Sequence, residues 1–277
     1  MIKCDFHVHS TASDGNYTPT EVVNRAIRNN VNFLALTDHD SINGITEAIK
    51  AAEGKNITFI PGIELSTVHR GESIHLIGLF KDNLYKSPAL KNFLEDMREK
   101  RKTRALLIVE RLKKYFNIII DADALLSRGD ETIARPHIAQ AIIDAGYPYT
   151  FDYIFDNIIG DKCNGYVASS KISTEDGVKI LKEFNAVVIL AHPKLIKKTQ
   201  IDEFISLGID GLEVFYFLNK SKETKRFKEL ALKNGLLMSV GSDCHGIESD
   251  DRHGDIGDVN SDDESTTLLL ERLGFKV

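Results

Sequence analysis

Apolar and polar positions switch between two periods along this chain. Short, β-branched apolar runs at 2–8, 32–37, 57–64, 74–80, 186–191, 210–217 and 237–242 read as strands. Segments 18–30, 44–53, 173–185, 199–207 and 221–235 carry the spacing of amphipathic helices. The first helix has a defined start, because Thr18-Pro19-Thr20-Glu21 joins a capping box to a proline at the first helical position. Strands alternating with helices over this length predict parallel strands and right-handed crossovers. Seven strands fit an α/β barrel with one unit fewer than the usual eight.

One stretch breaks the alternation. From about 85 to 165 no good strand occurs, and 88–116 reads as one long helix with Arg98, Arg101, Lys102, Arg104 and Arg111 on a basic face. Shorter helical pieces follow, including 136–145. The expected organisation is a barrel built from 1–84 and 166–277, with 85–165 as a helical insert covering the site. The glycine- and aspartate-rich segment 246–263 is expected to be a solvated loop.

Composition bounds the function. A chain of 277 residues, 42% hydrophobic, can bury a sizeable core. Its formal charge of −6 and pI near 5.9 exclude a strongly basic nucleic-acid binder, so no double-stranded DNA partner is expected. They leave room for a small phosphorylated substrate, since bound metal ions supply local positive charge. Cys4, Cys163 and Cys244 are odd in number and form no CxxC, which points to reduced thiols in a cytoplasmic protein. No apolar leader precedes HVHS and no run approaches spanning length, so no membrane partner is expected.

The chemistry lies where the apolar runs meet polar residues. His7 and His9 (IKCDFHVH), His39 (FLALTDHD), Glu64 (ITFIPGIE), His75 (SIHLIGLF), His192 (VVILAHP), Asp243 and His245 (LMSVGSDCH) nearly all sit where such a run ends, and Asp14 follows His9 in a short loop, STASDG. His7 and His9 are two apart, and on a strand such residues project to one face. Core histidines bonded to carbonyls would account for one or two of these positions. They account poorly for Glu64 and Asp243, since a buried carboxylate wants a cation. Nine ligands exceed the three plus water of a usual catalytic zinc. They suffice for three ions, each with an open position. Imidazole and carboxylate without thiolate suit zinc, manganese or iron.

In HVHSTASDG, LTDHD, GIELS, the His75 strand, AHP and GSDCHG the chain resembles the PHP (polymerase and histidinol phosphatase) family. The resemblance implies a distorted seven-stranded barrel holding two to three divalent ions. Carried over, His7, His9, Glu64 and Asp243 would hold the first ion. Glu64, bridging, with His75 and His192 would hold the second. Asp14, His39 and His245 would hold the third. Asp14, His39, Glu64, His192, Asp243 and His245 would then carry catalysis, a metal-bridging hydroxide attacking phosphorus in line. Asp38 is expected to orient His39.

EDMREKRKTRALLIVERL, ARPHIAQAII, GYVASSK and GLEVF are similar to the family branch containing 3′,5′-nucleoside bisphosphate phosphatases and 5′-to-3′ exoribonucleases. That branch implies removal of the 3′-phosphate of a bisphosphonucleoside, or action on short RNA 5′ ends. Segment 151–165, FDYIFDNIIGDKCNG, departs from the branch pattern in being less basic. Arg135 and His137, in ARPH, are candidates for a second, non-scissile phosphate. Lys171, Arg101 and Arg104 are weaker candidates, and the arginines read equally as a solvated face paired with Glu95, Asp96 and Glu99. His69 and His253 are expected on surface loops, and Phe215 and Tyr216 in the core by default, though one of the two could stack on a base. Histidinol phosphate hydrolysis is the second enzymatic reading, and the insert argues against it. A non-catalytic module is the third, and the complete ligand set argues against it.

Overall fold

The computed structural model describes residues 2–126, 135–168, 171–248 and 251–276. The elements run, in order, β1 (Cys4–Asp5), α1 (Pro19–Arg28), β2 (Phe33–Leu36), α2 (Ile45–Ala52), β3 (Thr58–His69), β4 (Glu72–Phe80), α3 (Pro88–Phe116), α4 (Ala122–Leu126), α5 (Arg135–Asp144) and α6 (Phe151–Asn157). They continue with β5 (Ile172–Ser173), α7 (Thr174–Glu183), β6 (Ala186–Leu190), α8 (Ile201–Ser206), β7 (Gly211–Tyr216), α9 (Ser221–Asn234), β8 (Leu237–Gly241) and α10 (Asp263–Arg272). At α1, Thr18 Oγ1 accepts the Glu21 N–H while Glu21 accepts the Thr18 N–H at 2.8 Å.

The chain divides into two compact units, Met1–Lys91 with Ile172–Val277, and Asn92–Lys171. In the first, seven strands follow one another in the order β1-β2-β3-β4-β6-β7-β8, with the short β5 paired beside β3. Just past β1, Phe6 N–H donates to Val240 O of β8, and further on His9 N–H donates to Cys244 O, each at 2.9 Å. These bonds nearly close the sheet into a distorted α/β barrel.

The sheet is mixed, which corrects the expectation of parallel strands throughout. β4 runs antiparallel to both β3 and β6. Only Arg70 and Gly71 separate β3 from β4, and both have positive φ, 47° and 77°. Two residues in that conformation make a hairpin and cannot span a crossover.

Inside the barrel, Cys4, Phe6, Ala35, Ile60, Ile77, Leu79, Val187, Ile189 and Val240 form one apolar cluster with Leu269 and Leu270 of α10 and with Leu273, which caps it. α10 was not foreseen from the sequence, and with its C-cap it adds three buried leucines to that core. The tail before it is also not simply solvated. Ile256 is fully buried, and Asp5 accepts the Gly257 N–H at 2.8 Å. The second unit has its own core, in which Ile108, Leu112, Ile118, Ile138, Ile142, Ile154 and Ile158 meet. Among the described residues no helix is long and apolar enough to cross a membrane.

Candidate metal centre

The strand directions explain where the polar side chains gather. On the parallel strands the candidate ligands come after the core residues: His7 and His9 after β1, His39 after β2, Glu64 late in β3, His192 after β6, and Asp243 and His245 after β8. On the reversed β4, His75 comes before Ile77 and Leu79, and so reaches the same rim. Backbone pairing fixes neighbours: Asp243 N–H donates to His7 O at 2.9 Å, and His39 bridges to Glu64 in parallel register.

Glu64 is the hub. It is fully buried, and its two oxygens face different histidines. Oε1 lies 2.9 Å from His75 Nδ1 and 3.0 Å from His192 Nε2. Oε2 lies 2.8 Å from His39 Nδ1, 3.4 Å from His7 Nε2 and 3.3 Å from His9 Nε2. Asp243 Oδ1 lies 3.1 Å from His9 Nε2 and 3.3 Å from His7 Nε2. On the other side of the His9 ring, Asp14 approaches Nδ1 at 3.6 Å, with His39 at 3.6 Å and His245 at 3.5 Å.

Ligand atoms of His7, His9, Glu64 and Asp243 all lie within 4.8 Å of one another, as do those of His9, Asp14, His39 and His245, and those of His39, Glu64 and His75. These groups hold eight of the nine candidates, with His9, His39 and Glu64 each in two of them, and His192 joins through Glu64 Oε1 at 3.0 Å.

The charges are as tightly set as the distances. Burial alone would raise the Glu64 carboxyl, but the His39, His7 and His75 imidazoles outweigh it and hold it well below the usual range. Asp14 and Asp243 are likewise held low against burial, chiefly by His39 and by His7 respectively. Burial should neutralise His39, yet Glu64 and Asp14 lift it to about 10. His9 goes the other way, pushed down to about 3 by burial and by His245 beside it. A neutral His9 offers a lone pair, and the ionised carboxylates create a site that calls for cations.

That demand fits divalent metal. His7 Nε2, His9 Nδ1 and Glu64 Oε2 are buried without a hydrogen-bond partner, and all three belong to candidate ligands. Imidazole nitrogens and carboxylate oxygens converging at these distances are the donors such ions take.

Three further residues stand at the centre that sequence reasoning did not place there. Glu213 is fully buried and accepts from His7 Nδ1 at 2.9 Å and from the His192 N–H at 2.7 Å. Tyr216 is buried, as expected of a core residue, and its hydroxyl also donates to Asp243 Oδ2 at 3.1 Å. His253 was assigned to a surface loop, yet its ring lies 4.3 Å from that of His245. GLEVF was the available signal for Glu213, a carboxylate within an apolar strand. His69 does stand apart, pairing with Glu203 at 3.2 Å.

The candidate substrate residues Arg101, Arg104, Arg135, His137 and Lys171 all belong to the second unit. Arg135 lies over the Phe155 ring at 5.9 Å and the Tyr166 ring at 5.7 Å, and donates to Asp161 at 2.8 Å. Arg104 Nε donates to the Val167 and Ala168 carbonyls at 3.0 and 2.9 Å. Burial, then Arg135, lowers the Arg104 pKa, with Arg101 adding to the effect. Arg101 is only 9% exposed, so a solvated face does not describe it. Residues 127–134, the last of which is the Ala134 of ARPH, and Ser169 and Ser170 of GYVASSK lie outside the described residues.

A nearly closed α/β barrel with a histidine and carboxylate cluster at one rim is the layout of a metal-dependent hydrolase. The chain belongs to the PHP family, whose domain model matches residues 5–148. It is 32% identical to the 5′-3′ exoribonuclease Rnm of Salmonella typhimurium over 250 residues, 87% of this chain and 84% of that one. It is equally 32% identical to the 3′,5′-nucleoside bisphosphate phosphatase of Chromobacterium violaceum over 253 residues, 88% of each. A solved structure from Bifidobacterium adolescentis, assigned as a metal-dependent phosphoesterase, superposes with a TM-score of 0.78 at 29% identity, covering 98% of this chain and 96% of that one.

Proposed function

We propose that this enzyme removes the 3′-phosphate of 3′,5′-bisphosphonucleosides, using two to three divalent ions of manganese, zinc or iron. His7, His9, Glu64 and Asp243 would hold one ion, Glu64, His75 and His192 a second, and Asp14, His39 and His245 a third. The split of Glu64 between His75 and His192 on one oxygen and His7, His9 and His39 on the other supports its bridging role. Bound ions would acidify water and neutralise phosphoryl oxygens.

The chain's own groups do the rest. The neutral His9 keeps a lone pair facing the carboxylates. His39 directs Nδ1 at Glu64 and leaves Nε2 towards Asp14. The single observation that carries the substrate reading is the gathering of Arg101, Arg104 and Arg135 in one region of the insert, where three guanidiniums lower the cost of binding a second phosphate. Asp161 occupies Arg135 in the absence of substrate and is itself 63% exposed, so an incoming phosphate can displace it.

Release of nucleotides from RNA 5′ ends is the second reading, favoured by the name of the Salmonella relative. The deciding assay follows phosphate release from adenosine 3′,5′-bisphosphate by manganese-loaded enzyme, beside AMP and histidinol phosphate, and nucleotide release from a 5′-phosphorylated short RNA. Rapid release from the bisphosphate alone is expected. Turnover of the RNA alone would replace the phosphatase reading with the exoribonuclease one, and turnover of histidinol phosphate alone would overturn both.

A further inference from the structure

β7 contributes no candidate metal ligand, yet it points two polar side chains at the metal centre. Residues 213 and 216 are three apart, and on a regular strand they would face opposite sides of the sheet. They do not, because the pairing with β8 slips between them. Glu213 pairs with Ser239 and Phe215 with Val240, so Val214 is an extra residue. Such a bulge re-aims the side chains that follow it. Here it brings Tyr216 to the side already occupied by Glu213.

From these observations we infer that Glu213 and Tyr216 are positioning residues that hold three metal ligands in place. Glu213 does two jobs with two oxygens. Oε1 takes the Nδ1–H of His7 at 2.9 Å, which fixes the tautomer and leaves the Nε2 lone pair facing Glu64 and Asp243. Oε2 takes the His192 N–H at 2.7 Å. His192 has φ 29° and ψ 61°, a conformation a non-glycine residue keeps only when its surroundings impose it. With both oxygens engaged, Glu213 acts through His7 and His192, which belong to two different proposed ion sites. Tyr216 fixes the third ligand through Asp243 Oδ2, leaving Oδ1 towards His7 and His9. Gly241, opposite Tyr216 on β8, keeps the room open: a Cβ there would fall 2.2 Å from Glu213 Oε1 and 2.4 Å from His7 Cβ.

This inference rests on the metal-centre reading, and one experiment separates the two. Wild type, E213Q and Y216F are loaded with zinc or manganese, and ion content and affinity are measured by elemental analysis and chelator competition. The His7 tautomer is read by nitrogen-15 NMR of the zinc forms. A glutamine cannot accept from both His7 and His192, so E213Q should bind at least one ion 10- to 100-fold more weakly. It should also lose the single Nδ1–H tautomer and regain turnover in excess metal. Y216F removes one hydroxyl without disturbing packing and should weaken binding about fivefold. It keeps the test open if E213Q fails to fold. Variants that bind all ions as wild type does, or lose turnover that excess metal does not restore, overturn the positioning role. A wild-type protein that binds no divalent ion overturns the metal reading itself.

Discussion

Asp38 grips Ser10 twice, accepting its backbone N–H at 2.7 Å and its hydroxyl at 2.8 Å. A third bond comes from the Ser13 hydroxyl at 2.7 Å. Asp38 was expected to orient His39, its neighbour in sequence. Its carboxylate instead ties down the loop that delivers Asp14, one residue beyond Ser13. Asp38→Ala should therefore leave three donors unsatisfied in a buried place and cost about 3 kcal/mol of stability. Urea unfolding of the metal-free protein checks this. Ion content should fall too, because Asp14 loses its anchor. A variant as stable as wild type would mean that water replaces the carboxylate there.

Chelation should destabilise the fold. Asp14, Glu64, Glu213 and Asp243 bring four carboxylates to one rim, and bound cations relieve their mutual repulsion. An ion present at a hundred times its Kd adds about 2.7 kcal/mol by mass action. Thermal unfolding with and without EDTA should differ by several degrees, and Asp243→Ala should narrow that gap. A melting temperature indifferent to EDTA would contradict a metal-linked fold.

Only one of the three thiols should react in the native protein. Burial, with Asp5 adding to it for Cys4, pushes the Cys4 and Cys244 thiols up to about 12. At pH 8 roughly one in ten thousand of each would be thiolate. Cys163 is partly exposed, its thiol donating to the Asp156 carbonyl at 3.3 Å. Ellman's reagent should find one fast thiol per native chain and three after denaturation. Fast labelling of three would mean that β1 and the 244 loop open readily.

How much of this was legible depended on whether a signal was local. The capping box at Thr18, the helix at 88–116 and the boundary positions of His7 through His245 could be read because each is written within a few consecutive residues. The antiparallel β4 was missed, although Arg70-Gly71 is a turn signal, because alternation over the whole chain outweighed a two-residue link. Glu213 and Tyr216 were missed for a different reason. Period-two reasoning puts them on opposite faces, and only the bulge at Val214, a feature of pairing with β8, unites them. His253 reaches the centre through a glycine- and aspartate-rich segment whose packing depends on distant partners, Arg25 and Asp5.

That packing carries its own pH signature. Arg25 Nη2 donates to Asp255 Oδ2 at 2.7 Å and Asn29 donates to the same oxygen at 3.3 Å. Burial raises the Asp255 carboxyl, but Arg25, with the Ile256 N–H and Asn29 bonds beside it, more than offsets this, so its folded pKa lies below the ordinary value. A depressed carboxylate stabilises the fold fully above its unfolded pKa near 3.9 and loses that contribution as pH falls through the folded value. Both partners are about a third exposed, so the pair contributes about 1 kcal/mol or less. Wild type should exceed Asp255→Asn by a constant margin from neutral pH to about 5, and the margin should begin to shrink at about pH 4 and vanish only below the folded pKa of Asp255. A margin that persists in acid would place the contribution in packing rather than charge.

The insert yields a prediction with two opposite signs. If Arg135 receives a second phosphate, Asp161 competes with that phosphate for the same guanidinium. Arg135→Ala should raise KM for adenosine 3′,5′-bisphosphate about tenfold, the value of one charge-assisted hydrogen bond, with kcat little changed. Asp161→Asn should lower that KM, since the competitor is gone while the Phe155 and Tyr166 rings still flank the guanidinium. Neither change should affect a substrate with a single phosphate. Steady-state kinetics on paired mono- and bisphosphate substrates decides it. Parallel changes in both variants would mean that the Arg135–Asp161 pair shapes the insert without touching substrate.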